Sequence, residues 1–303
     1  MEYADDPAAA AARVLEEHPD YRVLRRLVPR DEFGPRPAAP AVGVVIDTET
    51  TGTDPRQDRI VELSVLRFEY CPATGVPSRV LEVYSSLEDP GRPIPPESTA
   101  IHGITDEMVK GQRIDDARVE ALLSGATLVI AHNAAFDRPF LEARLPAFAA
   151  KPWACSHVQV PWSEEGLAGS KLEYLGLHCG FFYDAHRSES DCRALLEVLR
   201  TPLPKSRRTP LFVLLEQSRV PGLELWATGS PFESKDTLKA RGYRWNPEKR
   251  CWYRRVTREQ LPDECAWLKN AVYGGRPAQV ELEIQDATVR FSGRPGARRQ
   301  RVL

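Results

Sequence analysis

The stretch VVIDTETTG, residues 44–52, decides the reading of this chain. Its apolar lead, GVVI, has the length and composition of a short buried strand, and Asp47 and Glu49 close it. Side chains two apart on a strand share a face, so both carboxylates can reach one cation. Working outward, AHNAAFD at 131–137 ends a second apolar run, TLVIAHN, and opens a helical pattern, AFDRPFLEARL, with Asp137 in its first turn. HRSESD at 186–191 leads into DCRALLEVLR, a strongly helical segment headed by Asp191. His186 stands five residues earlier, and five residues on one helix would turn it away from Asp191. The spacing therefore places His186 in the preceding loop, over the same pocket.

Four carboxylates and one imidazole suit a definite task. Phosphodiester hydrolysis at neutral pH needs a hydroxide and neutralisation of the charge growing on phosphorus and on the leaving oxygen. Two divalent cations roughly 3.5–4 Å apart supply both, and hard oxygen ligands select Mg²⁺ or Mn²⁺ over Zn²⁺. A histidine titrating near neutrality can take the proton from the attacking water, which a metal-bound carboxylate does poorly. His186 is the candidate base. Taken singly, Asp-Thr-Glu at a strand end is an ordinary turn, His102 and His132 are loop histidines, Phe136 is core, and Thr48, Thr50 and Thr51 are strand formers before a glycine turn. The coincidence of all five acid and imidazole positions, in order, outweighs those readings.

The three motifs, together with STAIHGITDEMV at 98–109, resemble those of the DEDD exonucleases, in the branch with histidine in its third motif. That branch includes the proofreading subunit of bacterial replicative polymerases, ribonuclease T and oligoribonuclease. The resemblance covers about residues 40–200 and implies a ribonuclease-H-like fold. It also implies that Asp47, Glu49 and Asp191 hold the cation under the attacking water, that Asp47 bridges to a second Mg²⁺ or Mn²⁺, and that Asp137 supports that second ion. By the same resemblance Thr48, Thr50, Thr51, His102, Ile104, Asn133 and Phe136 grip the 3′-terminal nucleotide. The sequence departs from the family at Ser188 and Cys192, where alanine is common, which touches packing more than the ligands.

The composition is that of an ordinary globular chain: 303 residues, 42% hydrophobic, net charge −2. No run approaches the ~20 apolar residues of a membrane span, and the acidic start MEYADDP lacks the basic and apolar regions of a secretion signal. A cytoplasmic location is expected. The six cysteines show no metal-ligand spacing, so reduced structural thiols are expected. The charge is unevenly divided: residues 1–200 carry 21 Lys and Arg against 32 Asp and Glu, and residues 201–303 carry 20 against 11. An acidic half that collects cations repels a polyanion elsewhere, and a basic half can supply the missing attraction.

Residues 1–40 read as a helix over 7–29, broken at Pro19, and a Pro-rich linker. Residues 41–201, with strands first and then alternating strands and helices, predict an α/β domain with a mixed sheet flanked by helices. A hinge and short helix occupy 202–220. Residues 221–292 predict a small basic α+β module: strand LELWATG, helix SKDTLKARG capped by Ser234, a hairpin around NPEK, a further helix, and strands AQVELEI and ATVRFS. Its LKARGYRW…CWY pattern resembles small modules appended to DNA-processing enzymes, including one beside annealing helicases. Interleaved Arg and Trp suit stacking on unpaired bases, which nominates Arg244, Trp245, Trp252 and Arg254 as strand contacts; the alternative is that the tryptophans form the module's core. Residues 293–303 read as a disordered basic tail.

The expectation is a 3′–5′ exonuclease that releases nucleoside 5′-monophosphates from single-stranded or frayed DNA, in repair or end processing. RNA is the rival substrate, because nothing in the motifs decides between sugars. A non-catalytic nucleic-acid-binding role is opposed by the presence of every acid. A polymerase-bound proofreader is a further alternative, although no clamp-binding peptide of the Gln-x-x-Leu/Met-x-Phe type stands after residue 200.

Overall fold

A computed structural model describes residues 7–303. The acidic start read above lies, for residues 1–6, outside them. Helix α1 (Pro7–Glu16) and the two-residue strand β1 (Arg25–Arg26) precede the main sheet, which begins with β2 (Ala41–Thr50), β3 (Ile60–Cys71) and β4 (Val76–Leu87). Helices α2 (Pro96–His102), α3 (Asp106–Val109) and α4 (Asp116–Leu123) follow, then β5 (Leu128–Ala131), α5 (Ala134–Arg144), β6 (Trp153–Cys155), α6 (Ser156–Gln159), α7 (Leu172–His178), β7 (Phe181–Phe182) and α8 (Ser188–Arg200). The rest comprises α9 (Pro210–Arg219), β8 (Gly222–Trp226), α10 (Lys235–Ala240), β9 (Arg244–Asn246), β10 (Cys251–Val256), α11 (Leu261–Trp267), β11 (Gln279–Gln285) and β12 (Ala297–Val302).

The main sheet runs β4-β3-β2-β5-β6, antiparallel across β4, β3 and β2 and parallel across β2, β5 and β6. This is the mixed sheet flanked by helices that the sequence predicts. Strand β2 is central because Val44, Val45 and Ile46 are fully buried on both faces, as a strand covered from two sides requires. Val45, with Leu66 and Ile130, faces a core built with α7, α8 and α9, whereas Val44 and Ile46, with Leu63 and Val129, face one built with α4 and α5. By the same alternation Asp47 and Glu49 fall on the α8 side and Thr48 on the α5 side.

Five readings of the sequence are corrected. The helix over 7–29 stops at Glu16, ahead of Pro19, which cannot continue it; Arg25 and Arg26 instead pair in parallel with Phe181 and Phe182. The linker is docked as well: Arg30 forks onto Glu197 of α8 at 2.6 and 2.7 Å. ATVRFS is a turn rather than a strand, and Phe291 inserts from it into the α4/α5 core. The basic tail is ordered, because the whole of β12 pairs with β11 and Arg298 finds Glu283 across the ladder at 3.2 Å. Ser234 makes no cap; its hydroxyl donates to the Val272 carbonyl.

The second sheet, β12-β11-β8-β10-β9, is antiparallel throughout. One face, with Leu223, Leu225 and Val280, packs on α10 and α11. Its connection to the main sheet is stapled by Arg138 of α5, which is completely buried. That guanidinium donates to the carbonyls of Ala287, Arg290 and Thr288, pairs with Glu142 at 2.7 Å, and lies 5.4 Å from the Trp153 ring. All six cysteines are free thiols, and among the described residues no helix is long and apolar enough to cross a membrane.

Candidate active site

The carboxyl ends of the parallel strands β2 and β5 open side by side, since Ile46 pairs with Ala131. That is where open α/β sheets place ligands. Asp47 follows Ile46 directly. Asn133, in the left-handed region with φ 72°, turns the chain from β5 into α5 and brings Asp137 into the first helical turn. On the far side α8 begins at Ser188, so Asp191 also lies in a first turn. Oxygens of Asp47, Glu49 and Asp191 lie within 4.8 Å of one another, the spacing of a shared cation site.

Two of the acids are aimed by neighbours. Asp137 is buried, and its Oδ1 accepts from the Thr48 N–H at 3.1 Å and from the Thr48 hydroxyl at 2.8 Å. Asp191 accepts from the Tyr183 hydroxyl at 2.9 Å and from the Arg187 N–H at 3.1 Å. Among the described residues none of the four forms an ion pair with a cationic side chain, and their acidity records it. Burial, then repulsion from Asp137, Asp191 and Glu49, holds the Asp47 carboxyl well above the usual range. Burial and then Asp191 and Glu62 push Glu49 up to about 8. Burial raises Asp137 to about 7 against the opposing hydrogen bonds from Thr48, and raises Asp191 to about 6 against the Tyr183 hydroxyl. Converging hard oxygen donors with uncompensated charge fit divalent cations of the Mg²⁺ or Mn²⁺ kind.

His186 lies in the loop before α8, in the left-handed region at φ 63°, with its side chain 53% exposed. Its Nε2 is 3.9 Å from Glu173 Oε1, and it lies near enough to Asp191 to lower that carboxyl's pKa. The loop is fixed by Glu62, which the sequence reading missed. Glu62 is buried opposite Glu49 in the β2/β3 ladder, and accepts from Arg187 at 2.8 Å and from the Ser188 N–H at 2.9 Å. A lone acid in the apolar run RIVELSVL was the available signal, because such a charge must be paired inside.

The residues nominated to hold the nucleotide fall into two groups. Asn133 is exposed at the start of α5, and Phe136 is half-buried against Phe140 on the α4/α5 core. His102, at the end of α2, is buried, accepts from the Ile104 N–H at 3.0 Å through Nδ1, and is kept neutral by burial. The others serve the frame. Ile104 is entirely buried with Val61, Ile94 and Val109, so its side chain is a wall and not a contact. The Thr50 hydroxyl donates to the Gly52 carbonyl, and that of Thr51 donates to Asp58 and accepts from Arg92. A Cβ at Gly52 would run into the Asp58 carboxylate, which is why this turn needs glycine. His132 is an internal histidine on Ser156, lowered to about 4 by burial.

In the second sheet, alternation separates the nominated residues. Trp252 packs into the module's core and Arg254 is held by buried Glu264 at 2.7 Å, so neither is available to a strand. Trp245, opposite Trp252 in the ladder, is 48% exposed at the edge of that same face. Arg244 projects to the other side.

Comparison with known proteins gives a family model described as Exonuclease (RNase T) that matches residues 44–199. The DNA polymerase III subunit epsilon of Treponema pallidum is 32% identical over 168 residues, covering 51% of this chain and 73% of that protein. The PolC-type DNA polymerase III of Thermotoga maritima is 30% identical over 185 residues, covering 58% of this chain but only 12% of the polymerase. Among solved structures, an exonuclease I of E. coli in complex with a dA16 oligonucleotide aligns with TM-score 0.49 and 16% identity, over 75% of this chain and 68% of that one. An exonuclease X in complex with 5′-overhanging duplex DNA aligns with TM-score 0.40 and 23% identity, over 58% and 91%.

Proposed function

The chain belongs to the exonuclease (RNase T) family, and from that premise we propose that it removes nucleoside 5′-monophosphates one at a time from the 3′ ends of single-stranded or frayed DNA. The observation that carries the reading is the convergence of Asp47, Glu49 and Asp191 within 4.8 Å, with Asp137 beside them on Thr48. When bound there, two Mg²⁺ or Mn²⁺ ions acidify the attacking water and offset charge on the scissile phosphate. Asp47 and Glu49, fixed on a rigid central strand, set where that phosphate stops. Tyr183 and the Arg187 N–H each hold one Asp191 oxygen and so fix the orientation of that carboxylate beside Asp47 and Glu49. His186 accepts the water's proton, and Arg187 with Glu62 holds the loop that presents it. Phe136 and Asn133 are the contacts for the terminal base and sugar.

DNA is favoured over RNA because the Treponema relative is by name a DNA polymerase subunit. The same relative supports a second reading, a proofreading subunit bound to a polymerase, which co-purification with a polymerase subunit would establish. The test is digestion of a 5′-labelled single-stranded DNA and the matching RNA with Mg²⁺, Mn²⁺ or EDTA. A metal-dependent ladder shortening from the 3′ end of DNA is expected. Faster shortening of RNA would move the reading to an exoribonuclease, and no shortening of either would overturn it.

A further inference from the structure

The second sheet has a face that contributes no residue to the hydrophobic core of its module. Alternation puts Arg244 and Tyr253 opposite each other on it, with Trp226 and Arg255 alongside. This face looks across a cavity of about 530 Å³ at Asn133, Ala135 and Pro139 of the catalytic domain. Ala135 and Pro139 belong to α5, the helix that carries Asp137, so one wall of the cavity is an element of the acidic site. Its outer end lies under the β9–β10 turn, where Glu248 reaches Arg56 of the first-motif loop at 3.4 Å.

The lining is basic in excess. Five cations, Arg244, Lys249, Arg255, Arg294 and Arg298, meet three carboxylates, Glu224, Glu248 and Glu283. Glu224 is taken by Arg255, and Glu283 is shared by Lys249 and Arg298. Arg244 is exposed and has no ion-pair partner among the described residues. An aromatic platform lies beside it: Tyr253 stacks on Trp226 at 4.7 Å, and Lys249 covers Trp226 at 3.7 Å. Cations tracking phosphates next to an aromatic surface are the physical requirements for holding an unpaired strand. The surrounding catalytic half is acidic and would not hold one unaided.

We infer that this cleft between the second sheet and α5 carries the single-stranded nucleic acid behind the 3′ end being cut, with Arg244 as its principal phosphate contact and Tyr253 as its stacking surface. The inference rests on the exonuclease reading for the direction of the strand, but binding can be measured without hydrolysis. Fluorescence anisotropy of a labelled 20-nucleotide thymidine oligomer in EDTA separates the two. Arg244→Glu should weaken binding by about tenfold or more, because one attraction becomes a repulsion, and Arg244→Ala should reduce the salt slope by about one. Trp245→Ala, on the opposite face, should bind as wild type does. Affinity and salt slope unchanged in both folded Arg244 variants would overturn the inference, as would a loss confined to Trp245→Ala. Hydrolysis of a trinucleotide, too short to fill the cleft, should be unaffected by Arg244→Glu. An equal loss on both lengths would place Arg244 in the reaction itself and refute the cleft.

Discussion

Glu49→Gln is a stringent test, because it removes one charge from the acidic cluster while keeping the side chain's shape. In the folded protein the Glu49 carboxyl is raised from 4.5 to about 8 by burial and by Asp191 and Glu62. A raised folded value means that protonated Glu49 is favoured by folding, so stability is full below the unfolded value and is lost as pH climbs from about 4.5 to about 8. At ~1.4 kcal/mol per tenfold change, the loss at pH 8 is at most about 5 kcal/mol. Glu49 keeps some contact with water and shares its repulsion with three other acids, which reduces the figure to about 2 kcal/mol. Urea denaturation in EDTA should therefore show Glu49→Gln more stable than wild type by about that amount at pH 8, and nearly equal to it at pH 5. Mg²⁺ at pH 8 should stabilise wild type more than the variant, since the cation supplies what the lost charge no longer demands. A variant equal to or less stable than wild type at pH 8 in EDTA, or a gap of the same size at pH 5, would refute the reasoning.

Three further outcomes are expected. His186→Ala should lower kcat by about 10²–10⁴ while leaving Mn²⁺ affinity nearly unchanged, the signature of a lost proton acceptor and not of a lost ligand; steady-state kinetics beside a Mn²⁺ titration check it. Tyr183→Phe removes a donor that holds the Asp191 carboxyl down, so the acid limb of the kcat/KM profile should move to higher pH. Arg138→Met takes one donor from the carbonyls of Ala287 and Thr288, which keep the Trp153 N–H and Arg294, removes the Arg138 donor from the Arg290 carbonyl, and leaves Glu142 to Arg294 and Ser292; a loss of about 1–3 kcal/mol is expected in urea denaturation, the usual cost of an unsatisfied buried polar group.

What was legible in the sequence was what local chemistry dictates. Two acids closing an apolar strand, an acid in the first turn after another strand, and a histidine in the loop ahead of a helix all follow from the periods of strand and helix, and the structure gathers Asp47, Glu49 and Asp191 accordingly. What was not legible depends on partners distant in the chain. Glu62 fixes the His186 loop across 126 positions through Ser188, and Arg138 reaches 152 positions to Arg290. The tail appeared disordered because its charge is high, but β11 supplies glutamates at the matching register. Arg254 and Trp252 appeared available to a ligand because sequence spacing fixes which residues share a face and not which face is covered. Ile104, read through the resemblance, turned out to be enclosed by Val61 and Ile94, strand and loop residues far from it in sequence.

The most direct test of the central claim is to count Mn²⁺ ions bound per chain by electron paramagnetic resonance at pH 8 and, in the same samples, to measure mononucleotide release from single-stranded DNA, for wild type and Asp47→Asn. The account predicts two ions and steady release for wild type, with at least one ion lost and release abolished in Asp47→Asn. Release at an undiminished rate by Asp47→Asn, or by wild type with no ion bound, would contradict it.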